Sequence, residues 1–320
     1  MSRETTPARS PIAYDAAQRP LGVVVGFDGS ENSWRALDHA AETARRRESP
    51  LTVVTAYHSS PPIYTTLAAM PEEPEEEVRR REVDAVLEAA RKLLADHPGR
   101  VDYRAERGDS TGVLAELSAS AELVVVGARG RGGFLELVLG SVASALPSHA
   151  KAPTVIVPSD EAAAAHAADD AGPVVVGVDG SSESRVAALQ AAHAAAERGA
   201  ELQLVMAAPS RDGLAQWYPN LVEEQALAAQ QKELETSLEA EASWLAHHVP
   251  EVTIRSSVEI GSSIPLLTDH SRQAQLTVVG TRGRGAVAGT LLGSTSRGVL
   301  HHAHSPVMVV PALDDDRVSG

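Results

Sequence analysis

The sequence repeats itself over the span of a whole domain. Residues 127–141 read GARGRGGFLELVLGS, and residues 280–294 read GTRGRGAVAGTLLGS. Both place Gly, two residues, Gly, nine residues, then Gly-Ser. Upstream, VVVGFDGSENS at 23–33 is echoed by VVVGVDGSSES at 174–184. The copies stand 151 residues apart at the upstream segment and 153 apart at the glycine segment. That period is far longer than the roughly 20–50 residues of a solenoid module. Two copies of one domain are therefore what the chain of 320 residues must fold into, and each is long enough to bury its own core.

Within each copy, strand and helix signals alternate. In the first, short apolar runs at 21–27, 51–57, 101–106, 122–127 and 152–158 read as strands. Between them lie helices at 31–47, 72–97, 110–121 and 140–150. Ser30 is placed to cap the first helix. The helix at 72–97 has a buried stripe of Val83, Val86, Leu87, Ala90, Leu93 and Leu94, and i,i+4 pairs Glu75–Arg79, Glu76–Arg80 and Glu77–Arg81 on its outer face. The second copy repeats the order, with strands at 173–178, 200–207, 251–258, 275–280 and 305–311. Its long helix at 222–248 turns Leu227, Leu234, Leu238, Trp244 and Leu245 inward. Alternating strands and helices predict an α/β fold of two tandem, doubly wound parallel sheets of five strands each. The division is then a disordered N-terminal tail at 1–19, domains at 20–158 and 173–311, a polar, Ala-rich linker at 159–172 and a mobile acidic tail at 312–320.

Composition narrows the function. The chain carries 28 Lys and Arg against 43 Asp and Glu, a net charge of −15. Such a surface repels nucleic-acid backbones and anionic membranes. There is no cysteine, which excludes disulfides, thiolate catalysis and thiolate metal sites. The first twenty residues have no apolar segment of the secretory kind, and no run approaches membrane-spanning length. The expected location is cytoplasmic.

The repeated glycines carry the chemistry. Ligands of parallel sheets bind beyond the carboxyl ends of the strands, where strand order reverses. Asp28 ends the first strand and Gly127 the fourth; Asp179 and Gly280 do so in the second copy. Each carboxylate should therefore meet a glycine loop in one cleft. Gly127 and Gly130 would allow positive φ and close backbone approach, making an anion-binding nest. Gly140-Ser141 opens a helix whose free N–H groups and dipole favour phosphate. Arg129, Arg131, Arg282 and Arg284 add local positive charge. No Lys stands where a Walker A loop needs one, and the first strand lacks the GxGxxG spacing.

These residues resemble the universal stress protein family, specifically its ATP-binding, tandem-domain branch, over about residues 20–158 and 173–311. The resemblance implies a Rossmann-like, adenine nucleotide alpha hydrolase-like fold and one adenine-nucleotide site per half, holding ATP with Mg²⁺. Gly26, Phe27, Asp28 and Ala56 would face adenine and ribose. Val126, Gly127, Gly130, Gly140, Ser141 and Val142 would hold ribose and phosphates, with Arg131 adding charge. In the second half the matching residues are Gly177, Val178, Asp179, Ala207, Val279, Gly280, Gly283, Gly293, Ser294 and Thr295, with Arg284 adding charge. The resemblance also implies edge-to-edge pairing of the fifth strands, within the chain or between two chains of a homodimer.

Two asymmetries predict tighter ATP binding in the second half. Glu136 stands where the second loop has Gly289, and Pro147 where the second helix has Leu300. Other signals are weaker. Arg107-Gly108-Asp109 reads as a cap of the third helix. His301, His302 and His304 read as complements of a helix C-terminus rather than metal ligands. Ser30, Ser33, Ser181 and Ser184 read as caps rather than nucleophiles. The function expected is a non-enzymatic, ATP-binding stress or energy sensor with a protein partner the sequence does not name. The rival readings are a slow ATPase or nucleotidyl-transfer enzyme, and a nucleotide-free scaffold.

Overall fold

The computed structural model describes residues 11–58, 75–130, 139–159, 172–208, 224–283 and 292–319. The chain divides into two compact units. One is Asp15–Val157; the other is Pro158–Gly320 together with the segment that ends at Tyr14.

The first unit contains strands β2 (Val23–Gly26), β3 (Leu51–Tyr57), β4 (Val101–Arg107), β5 (Leu123–Gly127) and β6 (Thr154–Val157). They pair in the order β4-β3-β2-β5-β6, all parallel. The order reverses between β2 and β5, the neighbours expected from the sequence. Val23, Val24 and Val25 are fully buried, as a central parallel strand covered on both faces requires. The helices are α1 (Glu31–Arg47), α2 (Glu75–Leu93), α3 (Ser110–Leu117) and α4 (Ser141–Ala145). Ser30 caps α1 by accepting from the Ser33 amide, and Asp109 caps α3 by accepting from the Gly112 amide. The helix expected at 140–150 is short: α4 ends at Ala145 and passes into a 3₁₀ turn at Leu146–Ser148, with Pro147 near its start. Pro147 cannot donate to the α-helical ladder, so the helix tightens and stops.

The second unit repeats this plan with β7 (Val174–Gly177), β8 (Leu202–Ala208), β9 (Ile254–Ile260), β10 (Leu276–Gly280) and β11 (Val307–Val310). Its strands pair in the order β11-β10-β7-β8-β9, again all parallel. Helices α5 (Ser182–Arg198), α6 (Glu224–His248), α7 (Ser263–His270) and α8 (Ser294–His302) follow in turn. Ser181 caps α5 through the Ser184 amide, as Ser30 does for α1. No Pro interrupts α8, which runs nine residues against the five of α4. On α6, Leu238 and Leu245 are buried and Leu234 and Trp244 half-buried, while the side chain of Leu227 lies outside the described residues.

Several expectations need correction. Leu93 is 50% exposed rather than buried, while Leu94, just past the end of α2, is buried as expected. Glu76 pairs with Arg107 of β4 at 3.4 Å rather than with Arg80, and Arg79 pairs with Glu82 at 3.0 Å. The described part of the N-terminal segment is structured. Strand β1 (Ile12–Ala13) pairs in parallel with β12 (Leu313–Asp314), and a 3₁₀ turn follows at Ala16–Gln18. Arg19 is buried, its Nη1 donating to the carbonyls of Ser118 and Ala121 at 2.7 and 2.9 Å. The acidic C-terminal segment likewise contains β12 and a short helix α9 (Asp316–Ser319). Most of the linker at 159–172 lies outside the described residues.

Candidate functional site

Each unit has a cavity at the carboxyl ends of its central strands. The first measures about 480 Å³ and the second about 570 Å³, within the usual range of small-molecule pockets.

The first cavity gathers residues from three strands, β2, β3 and β5, and from helices α1, α3 and α4. Gly26, Phe27 and Asp28 come from β2 and the turn after it, Ala56 from β3, and Val126 and Gly127 from β5. Gly130, Gly140, Ser141 and Val142 come from the glycine loop and α4. In the second cavity the corresponding set is Gly177, Val178, Asp179, Ala207, Val279, Gly280, Gly283, Gly293, Ser294 and Thr295. The topology thus brings together every proposed site residue that is described. Arg131 and Arg284 lie outside the described residues, as do Glu136 and Gly289.

The aspartates are held by their own turns. Asp28 Oδ1 accepts from the Ser30 amide at 2.9 Å. Asp179 Oδ1 accepts from the Ser181 amide at 3.0 Å and the Ser181 hydroxyl at 2.6 Å. Gly29 and Gly180 supply the left-handed backbone of these turns, with φ of 77° and 76°.

Of the two roles expected of the loop glycines, positive φ is not found. Among the described residues, Gly127, Gly130, Gly280 and Gly283 do not have positive φ. Space is what requires them. A Cβ on Gly127 would meet the Asn32 carbonyl oxygen at 2.6 Å, and one on Gly130 would meet Asp28 Oδ2 at 2.6 Å. A Cβ on Gly283 would collide with Asp179 Oδ2 in the same way. The loop is pinned at its far end, where the Gly140 amide donates to the Ala128 carbonyl and the Gly293 amide to the Thr281 carbonyl, both at 2.7 Å. Beyond that point α4 and α8 begin at Gly140 and Gly293, and among the described residues no side chain caps the first amides of either helix.

Reasoning from the sequence missed further lining residues. Val54 and Val205 precede the proposed alanines by two positions on β3 and β8, so alternation along the strand could have found them. Ser33 and Ser184 line the walls as well, their hydroxyls donating to the Ser30 and Ser181 carbonyls. Ser110 and Leu114 of α3, and Ser263, Leu266 and Leu267 of α7, form another wall that only the fold reveals. Arg297 of α8 also lines the second cavity.

At the end of α8 the surroundings of His301 run against a role as a charged dipole complement. Burial, with His302 and Arg297 as positive neighbours, holds His301 below the ordinary histidine pKa, which opposes its protonation. The Ala303 amide caps the helix instead by donating to the Val299 carbonyl at 2.8 Å. Among the described residues no group of three or more His, Asp or Glu is placed to hold a metal ion. None of their helices is long and apolar enough to cross a membrane.

Comparison with known proteins agrees with this geometry. The model of the universal stress protein family matches residues 22–158 and again residues 171–311. A universal stress protein of Mycobacterium tuberculosis is 36% identical over 305 residues, covering 90% of this chain and 96% of that protein. A second one from the same organism is 33% identical over 330 residues, covering 95% and 99%. Among solved structures, a universal stress protein from Archaeoglobus fulgidus superposes with a TM-score of 0.63 at 20% identity, covering 92% of this chain and 97% of the other. At that identity the likeness concerns the fold.

Proposed function

The chain belongs to the universal stress protein family, and on that premise we propose that each half binds an adenine nucleotide, ATP with Mg²⁺ foremost. The protein then acts by holding the nucleotide, as a stress or energy sensor whose bound state sets its choice of partner. One observation carries this reading. The same cavity is built twice, and in each a glycine approaches an aspartate so closely that no side chain fits between them.

The residues suit such a ligand. The aspartate at the end of β2 or β7 is an acceptor for ribose or base donors. The uncapped amides at the start of α4 and α8, beside Ser141 and Ser294, suit phosphate oxygens. Arg129 and Arg282 line the respective cavities and oppose the overall negative charge. Bound ATP would supply the polyanionic group these donors match. The residues of the chain supply position and charge.

Catalysis is the rival reading, and the described lining gives it little to work with. Phosphoryl transfer to water needs a residue that orients or deprotonates the nucleophile. The carboxylates lining the described walls are Asp28 and Asp179, each engaged with the turn behind it. No His or Lys is among the described lining residues.

Mass spectrometry of nucleotide released from the purified protein tests the proposal, with an adenine nucleotide as the expected result. Protein free of nucleotide, with no thermal shift on adding Mg·ATP, would favour a scaffold. Turnover of Mg·ATP above about 0.1 s⁻¹, the low edge of ordinary enzyme rates, would favour an enzyme.

A further inference from the structure

The two cavities come from one repeat, so their walls can be compared position by position. Gly140-Ser141-Val142-Ala143-Ser144 aligns with Gly293-Ser294-Thr295-Ser296-Arg297. The start of the helix differs in chemistry between them. In the second cavity Thr295, Ser296 and Arg297 all line the wall. Thr295 Oγ1 lies 3.0 Å from Ser263 Oγ, and Ser296 Oγ donates to the Gly280 carbonyl at 2.6 Å. Arg297 makes no side-chain hydrogen bond or ion pair among the described residues. In the first cavity Val142 and Ala143 take the places of Thr295 and Ser296, and Ser144 takes the place of Arg297 without lining the wall.

The opposite end differs in the other direction. Phe27 lines the first cavity where the second has Val178. The Phe27 ring packs edge-on against Trp34, with centroids 4.7 Å apart. Among the described lining residues the first cavity thus has the aromatic ring and the second an additional cation.

We infer that the second cavity discriminates by phosphate number more sharply than the first, favouring nucleoside tri- and diphosphates over monophosphates through Arg297. The inference rests on the adenine-nucleotide reading of both sites. Each added phosphate brings negative charge into a chain whose net charge is already −15. A guanidinium offsets that cost, and its planar fork can donate twice to one phosphate. Arg297 sits one turn into the nine-residue α8, where the helix dipole favours anions as well. Val142 and Ala143 add no side-chain donor to the first cavity. One chain then carries two adenine-nucleotide sites of unequal sensitivity to the number of phosphates. Their joint occupancy registers how far the adenine nucleotide pool is phosphorylated.

Titration calorimetry of the full chain with AMP, ADP and ATP tests this in wild type, Arg297→Ser and Ser144→Arg. Both positions are exposed, so neither change disturbs the core. Arg297→Ser should lower ATP affinity at one site about tenfold, the equivalent of one charge-assisted hydrogen bond, while AMP affinity shifts by less than about twofold. Ser144→Arg should raise ATP affinity at the other site and leave AMP nearly unchanged. An Arg297→Ser variant that binds ATP as wild type does, or that loses AMP and ATP equally, overturns the inference and leaves the nucleotide reading intact. If wild-type protein gives no heat with any of the three nucleotides, the nucleotide reading itself falls and this inference falls with it.

Discussion

A methyl group placed on Gly130 would lie 2.6 Å from Oδ2 of Asp28. The same relationship joins Gly283 to Asp179 in the second half. The glycine is therefore the complement of the aspartate, and the two can be tested as a pair. Gly130→Ala must displace the end of the Asp28 side chain, so it should cost about 1 kcal/mol of stability and weaken the nucleotide binding proposed for its half. In an Asp28→Ala background the carboxylate is gone, and the added cost of Gly130→Ala should fall below about 0.5 kcal/mol, as expected of uncoupled sites. Urea denaturation of the four species of the cycle measures this. A penalty that persists without the aspartate would mean that the glycine answers to something else.

The first glycine of each motif has a different neighbour. A Cβ on Gly127 would press on the Asn32 carbonyl oxygen at 2.6 Å, whereas one on Gly280 would find carbonyl oxygens no nearer than 3.2 Å. Asn32 is in the first turn of α1, so its backbone cannot yield without moving the helix. Gly127→Ala should cost about 2–3 kcal/mol and Gly280→Ala less than about 1 kcal/mol. Denaturant midpoints of the two variants provide the comparison, and equal losses would contradict it.

The repeat also exposes a defect at a helix end. The residue after α1 is Glu48, held at φ 51°, and the residue after α5 is Gly199 at φ 60°. Both close their helices in the left-handed region, donating to carbonyls of the last turn. Only glycine does so without a Cβ penalty. Glu48→Gly should stabilise the protein by about 0.5–1 kcal/mol, less whatever the unfolded chain gains in freedom. A rise in the thermal midpoint with no change in nucleotide affinity is the expected result.

Much of the fold was legible because its determinants are local and occur twice. Continuous valine runs marked the central strands, Ser30 and Ser181 marked helix starts, and strand order then forced Asp28 towards Gly127. What the sequence concealed depends on distant partners. Arg19 looked like part of a solvated tail, but its guanidinium reaches carbonyls at Ser118 and Ala121. Ile12 and Ala13 find their partners at Leu313 and Asp314, some three hundred residues away. Neither pairing leaves a periodic trace. The glycine motif was visible, but its physical reason was not. Local reasoning suggested backbone dihedrals, whereas the requirement comes from Asp28 and Asn32 across the cleft. Pro147 shows the converse, since its effect on α4 needs only the residue itself.

The last local feature to test closes the C-terminal end. Asp315 is buried, 7% exposed, and binds Arg317 three ways. Its Oδ1 accepts from the Arg317 amide at 3.0 Å and from Nε at 2.9 Å, and its Oδ2 accepts from Nη2 at 2.7 Å. Arg317 Nη1 also lies 3.1 Å from His193 Nε2 on α5. The hydrogen bonds from Arg317 hold the carboxyl below its usual value of 3.8. A depressed carboxyl pKa stabilises the fold fully above that ordinary value and loses its contribution as pH falls through the lower, folded value. Asp315 is next to β12, so what it holds is the end of the chain that pairs with Ile12–Ala13. Asp315→Asn keeps the shape and removes the charge, and should cost about 1–2 kcal/mol near neutral pH. The gap between variant and wild type should stay constant down to the usual aspartate range and narrow below it. Urea midpoints measured from pH 7 downward decide the matter, and a gap independent of pH would show that the carboxylate charge at Asp315 contributes nothing.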